Sequence, residues 1–379
     1  MSQARRAPIV AAYGPGARPS GKDTGIELSN EYGIEDRFFT SRDSGEAVSL
    51  VERTHPHGCE GAFIIGSLSV GLGHAESDLD IVAVHRTSES ARQHVAHGRR
   101  LDLTTVSLAS WQRLAERMAR YAVTRTDRAQ GSLDRAEMTR TVRYAMGAAL
   151  PLHGALPGPD RDVVAKVMIY RNAYEVGVLL EDAHGALAIG DPYTALLATH
   201  DAVKAGLDAL LSAERDLYIG PKFLLRRAAR SRLLGPLFPT LWELLHEPVP
   251  LDGLAERAEA VVRRRASLAV ALVAVATTDG WDGAADIERL RPRRLGGGPL
   301  QDPFHSLIRF ADGFVLAGPN VAYDLNEHMA RLWSMCTGAT VTEIHGEFAQ
   351  WVDGEVTPHE VGEALEALAA MGVVETPGR

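Results

Sequence analysis

The spacing of hydrophobic positions in this 379-residue chain changes character twice. Between residues 60 and 106 the apolar residues come in short runs: Phe63-Ile64-Ile65, then Asp78-Leu79-Asp80-Ile81-Val82-Ala83-Val84, then the alternating stretch Leu101 to Val106. Runs this short, with a two-residue period at their polar ends, predict strands. After Asp102 the period lengthens to three and four. Helices are expected over Trp111–Tyr121, Met138–Leu150, Arg161–His184, Pro192–Leu211, Pro221–Leu234, Leu237–His246 and Leu254–Ala276. Asp191 before Pro192 is a helix start, and Leu196, His200, Val203, Leu207 and Leu210 form one core stripe on the helix that follows.

A Gly/Pro-rich segment at 291–303 then reads as a linker, and the pattern beyond it is new. Strands are expected at Ser306–Phe310 and Gly313–Gly318. Asn326 opens a helix with Met329, Leu332, Trp333 and Cys336 on one side, ended by Gly338. Thr340 with Glu343 and Thr357 with Glu360 have the spacing of capping boxes for two more helices. Their inward residues are Val341, Ile344 and Phe348, then Val361, Leu365 and Leu368; Gly372 stops the last helix and Val373-Val374 closes as a wing strand. The expected fold class is therefore α+β. It has a tail at 1–25, a small mixed-sheet domain at 26–125, a helical bundle at 126–290, the linker at 291–303 and a winged-helix-like module at 304–379.

The candidate chemistry lies in the first region. Alternation puts Asp78 and Asp80 on the same strand face, about 6.5–7 Å apart along the backbone. Two such carboxylates repel each other unless a cation joins them. They can converge on two divalent ions about 3.5–4 Å apart, the separation used for displacement at phosphorus, and hard oxygen ligands point to Mg²⁺. Upstream, Phe63-Ile64-Ile65 stops at Gly66-Ser67, a turn that lets backbone N–H groups and a hydroxyl approach a polyphosphate. Leu68 to Leu72 follows as a short helix whose start faces the same anion. Asp102 interrupts the strand Arg99–Val106 and supplies a third carboxylate, able to orient or deprotonate an attacking hydroxyl.

This order of strand, Gly66-Ser67, short helix, Asp78-x-Asp80 and later Asp102 resembles the DNA polymerase beta-type nucleotidyltransferase superfamily. The resemblance implies that Asp78 and Asp80 hold a pair of Mg²⁺ ions, that Asp102 shares one of them and acts as general base, and that Gly66 and Ser67 contact the triphosphate of ATP or another NTP. A helical bundle appended to the sheet is similar to the antibiotic-modifying, small-molecule members. Those place the acceptor between the two domains, for which Glu175, Glu181 and Asp182 are candidate acids, and direct a lysine at the nucleotide phosphates, a part that Lys222 resembles.

The run Phe314–Asn326, with Ala330–Trp333, Thr340–Ile344 and Leu365–Val374, resembles the PqqD-like peptide chaperones that act as recognition elements in ribosomal peptide biosynthesis. That resemblance implies a leader peptide added as a strand to the small sheet. The two resemblances together imply transfer of a nucleoside monophosphate, AMP from ATP foremost, onto a hydroxyl or carboxylate of a small-molecule or peptide-linked acceptor. An aminoglycoside-type resistance enzyme and a non-catalytic, nucleotide-sensing, peptide-binding protein are the alternatives.

Composition narrows the partners. Net charge is −9, so long nucleic acids are not expected. No run is long enough for a membrane span, residues 1–25 lack the apolar core of a signal peptide, and their Gly, Pro, Ala and Arg content predicts a disordered tail. Two cysteines, Cys59 and Cys336, make no disulfide framework, so a reducing cytoplasm is the expected location. His55-Pro56-His57-Gly58-Cys59 carries zinc-type ligands without a second pair and is read as an exposed turn. The arginines of 226–232 and 263–265 are expected on solvated helix faces, the first cluster within reach of a triphosphate.

Overall fold

Two apolar strands, β1 (Gly61–Ile65) and β2 (Leu79–His85), pair antiparallel at the centre of a sheet, with Ile65 opposite Asp80. The protein is described here from a computed structural model covering residues 36–87, 89–126, 134–152, 156–283, 297–352 and 354–376. The expected tail at 1–25 and residues 291–296 of the expected linker lie outside the described residues.

On its other side β2 pairs parallel with β4 (Arg99–Ser107), in a register that sets Asp80 beside Asp102. β3 (Ser90–Ala96) pairs antiparallel with β4 at one edge, and the short strand β5 (Ala148–Ala149) joins β1 at the other. The order is β3-β4-β2-β1-β5, a mixed sheet. Ile64, Leu79, Ile81, Leu101 and Leu103 pack with Leu50 and Val51 of α1 (Ser41–Thr54); Phe63, Ile65, Val82 and Val84 pack with Trp111 of α2 (Leu108–Ala119). Both faces of β2 are thus covered, which is why it turns continuously apolar after Asp80.

Three expectations change in this region. Neither α1 nor β3 is among the expected elements: α1 carries a short stripe, Ala47, Leu50 and Val51, behind a Thr40–Asp43 capping box, whereas β3 lies on the exposed edge and carries little apolar signal. The helix expected over Met138–Leu150 ends at Ala145 as α3 (Arg135–Ala145), and residues 148–149 join the sheet. Gly147 sits against Ile65, Phe63 and the Tyr144 carbonyl, so the chain leaves the helix there and satisfies the free edge of β1.

The bundle is built on three long helices, α4 (Arg161–Ala188), α5 (Pro192–Ala213) and α8 (Leu254–Thr278). Asp191 caps α5 by accepting from the amides of Tyr193 and Thr194. Val203, Leu207 and Leu210 are fully buried, while Leu196 and His200 are half-buried. The helix expected over 221–234 is instead a 3-10 turn (Pro221–Phe223) and α6 (Leu224–Arg230). It stops because the Ser231 hydroxyl accepts from the amides of Leu233 and Leu234. α7 (Phe238–His246) follows.

The C-terminal module is a three-stranded meander, β7 (Ser306–Phe310), β8 (Gly313–Gly318) and β9 (Val321–Leu325), then α9 (Glu327–Met335), α10 (Val341–Trp351) and α11 (Pro358–Ala370). Both capping boxes are present. Cys336, not Gly338, closes α9. Within the expected linker, Leu300–Gln301 forms β6 and pairs with the closing strand β10 (Val374–Glu375). The module shares one continuous apolar core with the bundle. Ser306 donates to the Ala173 carbonyl of α4, and Arg331 pairs with Asp279 at the end of α8 at 2.6 Å. No helix among the described residues is long and apolar enough to cross a membrane.

Candidate active site

β1 must turn sharply after Ile65, and Gly66 makes this possible with φ of +80°. A Cβ on Gly66 would collide with the Asp80 carboxylate, so that carboxylate lies directly against the backbone of the turn. Ser67–Val70 then forms one 3-10 turn, in which the Ser69 hydroxyl donates to the Gly66 carbonyl at 2.9 Å, and Gly71 closes it in the left-handed region. The backbone on either side is stitched to the segment before α1: Arg37 N–H donates to Gly71 O and Phe39 N–H to Leu68 O. Gly66→Ala is therefore expected to cost both fold and site. Backbone strain and the displaced Asp80 should lower stability by about 1–3 kcal/mol, read by chemical denaturation.

Asp80 and Asp102 stand side by side on adjacent parallel strands, and Asp78 lies two positions before Asp80. Burial pushes the Asp80 carboxyl up from its ordinary value; the Arg143 guanidinium works against this, and the charges of Asp102 and Asp78 reinforce it. Asp80 is thus a carboxylate short of positive charge. Asp102 has its own cation: Arg100, two residues earlier on the same strand face, forks onto it with Nε–Oδ1 of 2.9 Å and Nη2–Oδ2 of 2.6 Å. The same guanidinium approaches Asp78 at 3.8 Å.

Three carboxylates, one of them undercompensated, are the ligand type for a hard divalent cation, but they are not gathered into a site for one. Among the described residues, no three His, Cys, Asp or Glu side chains are gathered closely enough to hold an ion, and Arg100 serves as the counter-ion. That statement covers the His55–Cys59 segment too, where His55 bonds the Thr105 hydroxyl at 3.0 Å and stacks on His85.

A narrow cleft opens between the turn and the bundle. Gly66, Ser69 and Val70 form one wall; Val142, Arg143 and Met146 of the α3 end, with Leu217, Tyr218 and Ile219 after α5, form the other. Arg143 and Tyr218 carry no motif and escape sequence reading. Arg143 sits on a short amphipathic helix like many others, and Tyr218 on a loop. Both become visible only once β5 returns the end of α3 to the sheet. Lys222, by contrast, is exposed in the 3-10 turn with its ammonium 4.8 Å from the Phe223 ring centroid. Arg143 and, more weakly, Arg100 are the cations that act on Asp80. Glu175, Glu181 and Asp182 are exposed on α4.

The arginines of 226–232 depart most from expectation. Arg227 is fully buried, pairing with Asp208 at 2.6 Å and with Asp216 at 3.3 Å. Arg226 and Arg230 reach the backbone carbonyls of residues 70–73. They serve as internal partners for carbonyls and carboxylates that the turn and the bundle leave unsatisfied.

No protein-family model and no curated protein matches this chain. Among solved structures, the crystal structure of a nucleotidyltransferase-like protein from Exiguobacterium sibiricum 255-15 is similar over 61% of this chain and 79% of that chain, at 10% sequence identity and a TM-score of 0.28.

Proposed function

We propose that the chain is a Mg²⁺-dependent nucleotidyltransferase that moves a nucleoside monophosphate, AMP from ATP foremost, onto a hydroxyl or carboxylate acceptor and releases pyrophosphate. The observation that carries this reading is the in-register pair Asp80 and Asp102, set against the Gly66-Ser67 turn beside a cleft. Asp78, Asp80 and Asp102 are the residues that would hold two Mg²⁺ ions, whose chemistry is Lewis-acid stabilisation of charge on the phosphate oxygens. Their release from Arg100 is a condition of this role. The Gly66-Ser67 backbone admits the polyphosphate closely, and Arg143 offsets its charge. Asp102 accepts the proton of the attacking acceptor oxygen as that oxygen bonds to the α-phosphorus. The bond from that phosphorus to the departing pyrophosphate breaks.

A peptide-linked acceptor gains support from β9, which ends the order β7-β8-β9 as an open edge with Val321, Ala322 and Asp324 exposed. Strand addition there would tether the acceptor and raise its local concentration.

The test is pyrophosphate release from each NTP with Mg²⁺, using a panel of hydroxylated small molecules and hydroxyl-bearing peptides. Release that requires an acceptor and disappears in the Asp78→Asn/Asp80→Asn variant supports the reading. Release that persists in that variant overturns it, and nucleotide binding without turnover favours the sensing alternative.

A further inference from the structure

The two walls of the cleft come from distant parts of the chain, and one side chain grips both. Arg230, the last residue of α6, donates from Nη1 to the Val70 carbonyl at 3.0 Å, inside the 3-10 turn that follows Gly66. From Nε and Nη2 it donates to Asp216 Oδ2 at 3.1 and 2.9 Å. Asp216 directly precedes Leu217, Tyr218 and Ile219 of the opposite wall. A third bond from Nη1, 3.3 Å to Asp36 Oδ1, adds the segment that stitches the turn from outside.

The neighbouring arginines brace this contact. Arg227 holds the other oxygen of Asp216 at 3.3 Å, so that one carboxylate is shared by two guanidiniums. Arg226 donates to the carbonyls of Leu72 and Gly73 at 3.0 and 3.2 Å. The planar fork reaches a backbone carbonyl and two carboxylates from three separate nitrogens, a spread that the single nitrogen of an ammonium does not match.

We propose that Arg230 is a positioning residue that sets the separation of the two cleft walls, and with it the placing of Tyr218 opposite the Gly66–Val70 turn. It touches no reactant; it acts through Val70 and Asp216. The kinetic consequence rests on the nucleotidyl-transfer reading, whereas the structural consequence does not.

Hydrogen exchange on the full chain separates the two. In Arg230→Gln, amides of 67–73 and of 217–219 should both exchange at least about tenfold faster, with β1 and β2 unchanged. In steady state, Arg230→Lys should lower kcat by about 10²-fold, the cost of a small misplacement, while the nucleotide KM moves much less. If Arg230→Gln does not fold, Asp216→Asn removes one end of the link, and faster exchange at 217–219 with 67–73 protected is expected. Exchange confined to α6, or full kcat in Arg230→Lys, overturns the proposal. Absence of turnover in the unmodified chain would remove the transfer reading and leave the exchange result standing.

Discussion

Asp80→Asn is expected to abolish nucleotidyl transfer and at the same time to raise thermal stability at neutral pH. The first effect follows from the proposed role of Asp80: loss of a charged ligand to a metal that would supply several kcal/mol of charge stabilisation is a fall of about 10³-fold or more. The second follows from burial, the main reason that the folded-state carboxyl of Asp80 holds its proton more tightly than an exposed one. Because the folded form binds the proton better than the unfolded form, the associated stabilisation is present at low pH and lost as pH rises through the raised value. At neutral pH the ionised group is a net cost to the fold, and asparagine removes it. Thermal melts across pH should show the variant gaining most above that transition and little below it. Mg²⁺ should raise the melting temperature of the unmodified chain and leave Asp80→Asn unmoved. Equal melting curves for the two proteins at neutral pH would contradict the electrostatic argument.

Arg227→Met carries the largest expected effect on stability. The guanidinium is fully buried between Asp208 and Asp216, and burial pushes the Asp208 carboxyl up while Arg227 opposes it. Removing the cation leaves the Asp208 carboxylate without its guanidinium in the bundle interior, while Asp216 keeps Arg230, a loss of about 3–5 kcal/mol. Adding Asp208→Asn should return part of it, since the amide needs no counter-ion. Urea denaturation of the single and double variants measures both. A single-variant loss below about 1 kcal/mol, or a double variant no better than the single, would show that the ion network is replaceable.

The legible parts of the chain are those whose cause is local. The Leu79–Val84 strand, the Gly66 turn, the Asp191 cap and the Thr340 and Thr357 capping boxes each depend on residues within a few positions of one another, and all of these elements are present in the fold, although Asp78, expected on the strand face with Asp80, lies just before β2. The register of Asp80 with Asp102 is not local. It depends on β3, whose exposed residues carry little hydrophobic signal, to bring β4 back parallel to β2. The same limit hides Arg143, which reaches the cleft only because residues 148–149 add a strand to β1. A charge count also cannot distinguish an arginine bound for water from one bound for orphaned carbonyls, so the 226–232 cluster reads as solvated although Arg227 is fully buried. Lys222 is the converse, a cation in a suggestive context that lies over its neighbour's ring. In the C-terminal module the short apolar runs and caps are explicit, whereas the docking of β7 against α4 and α8 requires the third dimension.

On the proposed function, Asp78, Asp80 and Asp102 become metal ligands once Arg100 releases them. Mn²⁺ titration followed by electron paramagnetic resonance, with a non-hydrolysable ATP analogue present, tests it directly. Two ions bound per chain, with occupancy lost in Asp80→Asn and in Asp102→Asn, is the predicted result. No saturable binding, or binding that survives substitution of all three aspartates, would contradict it.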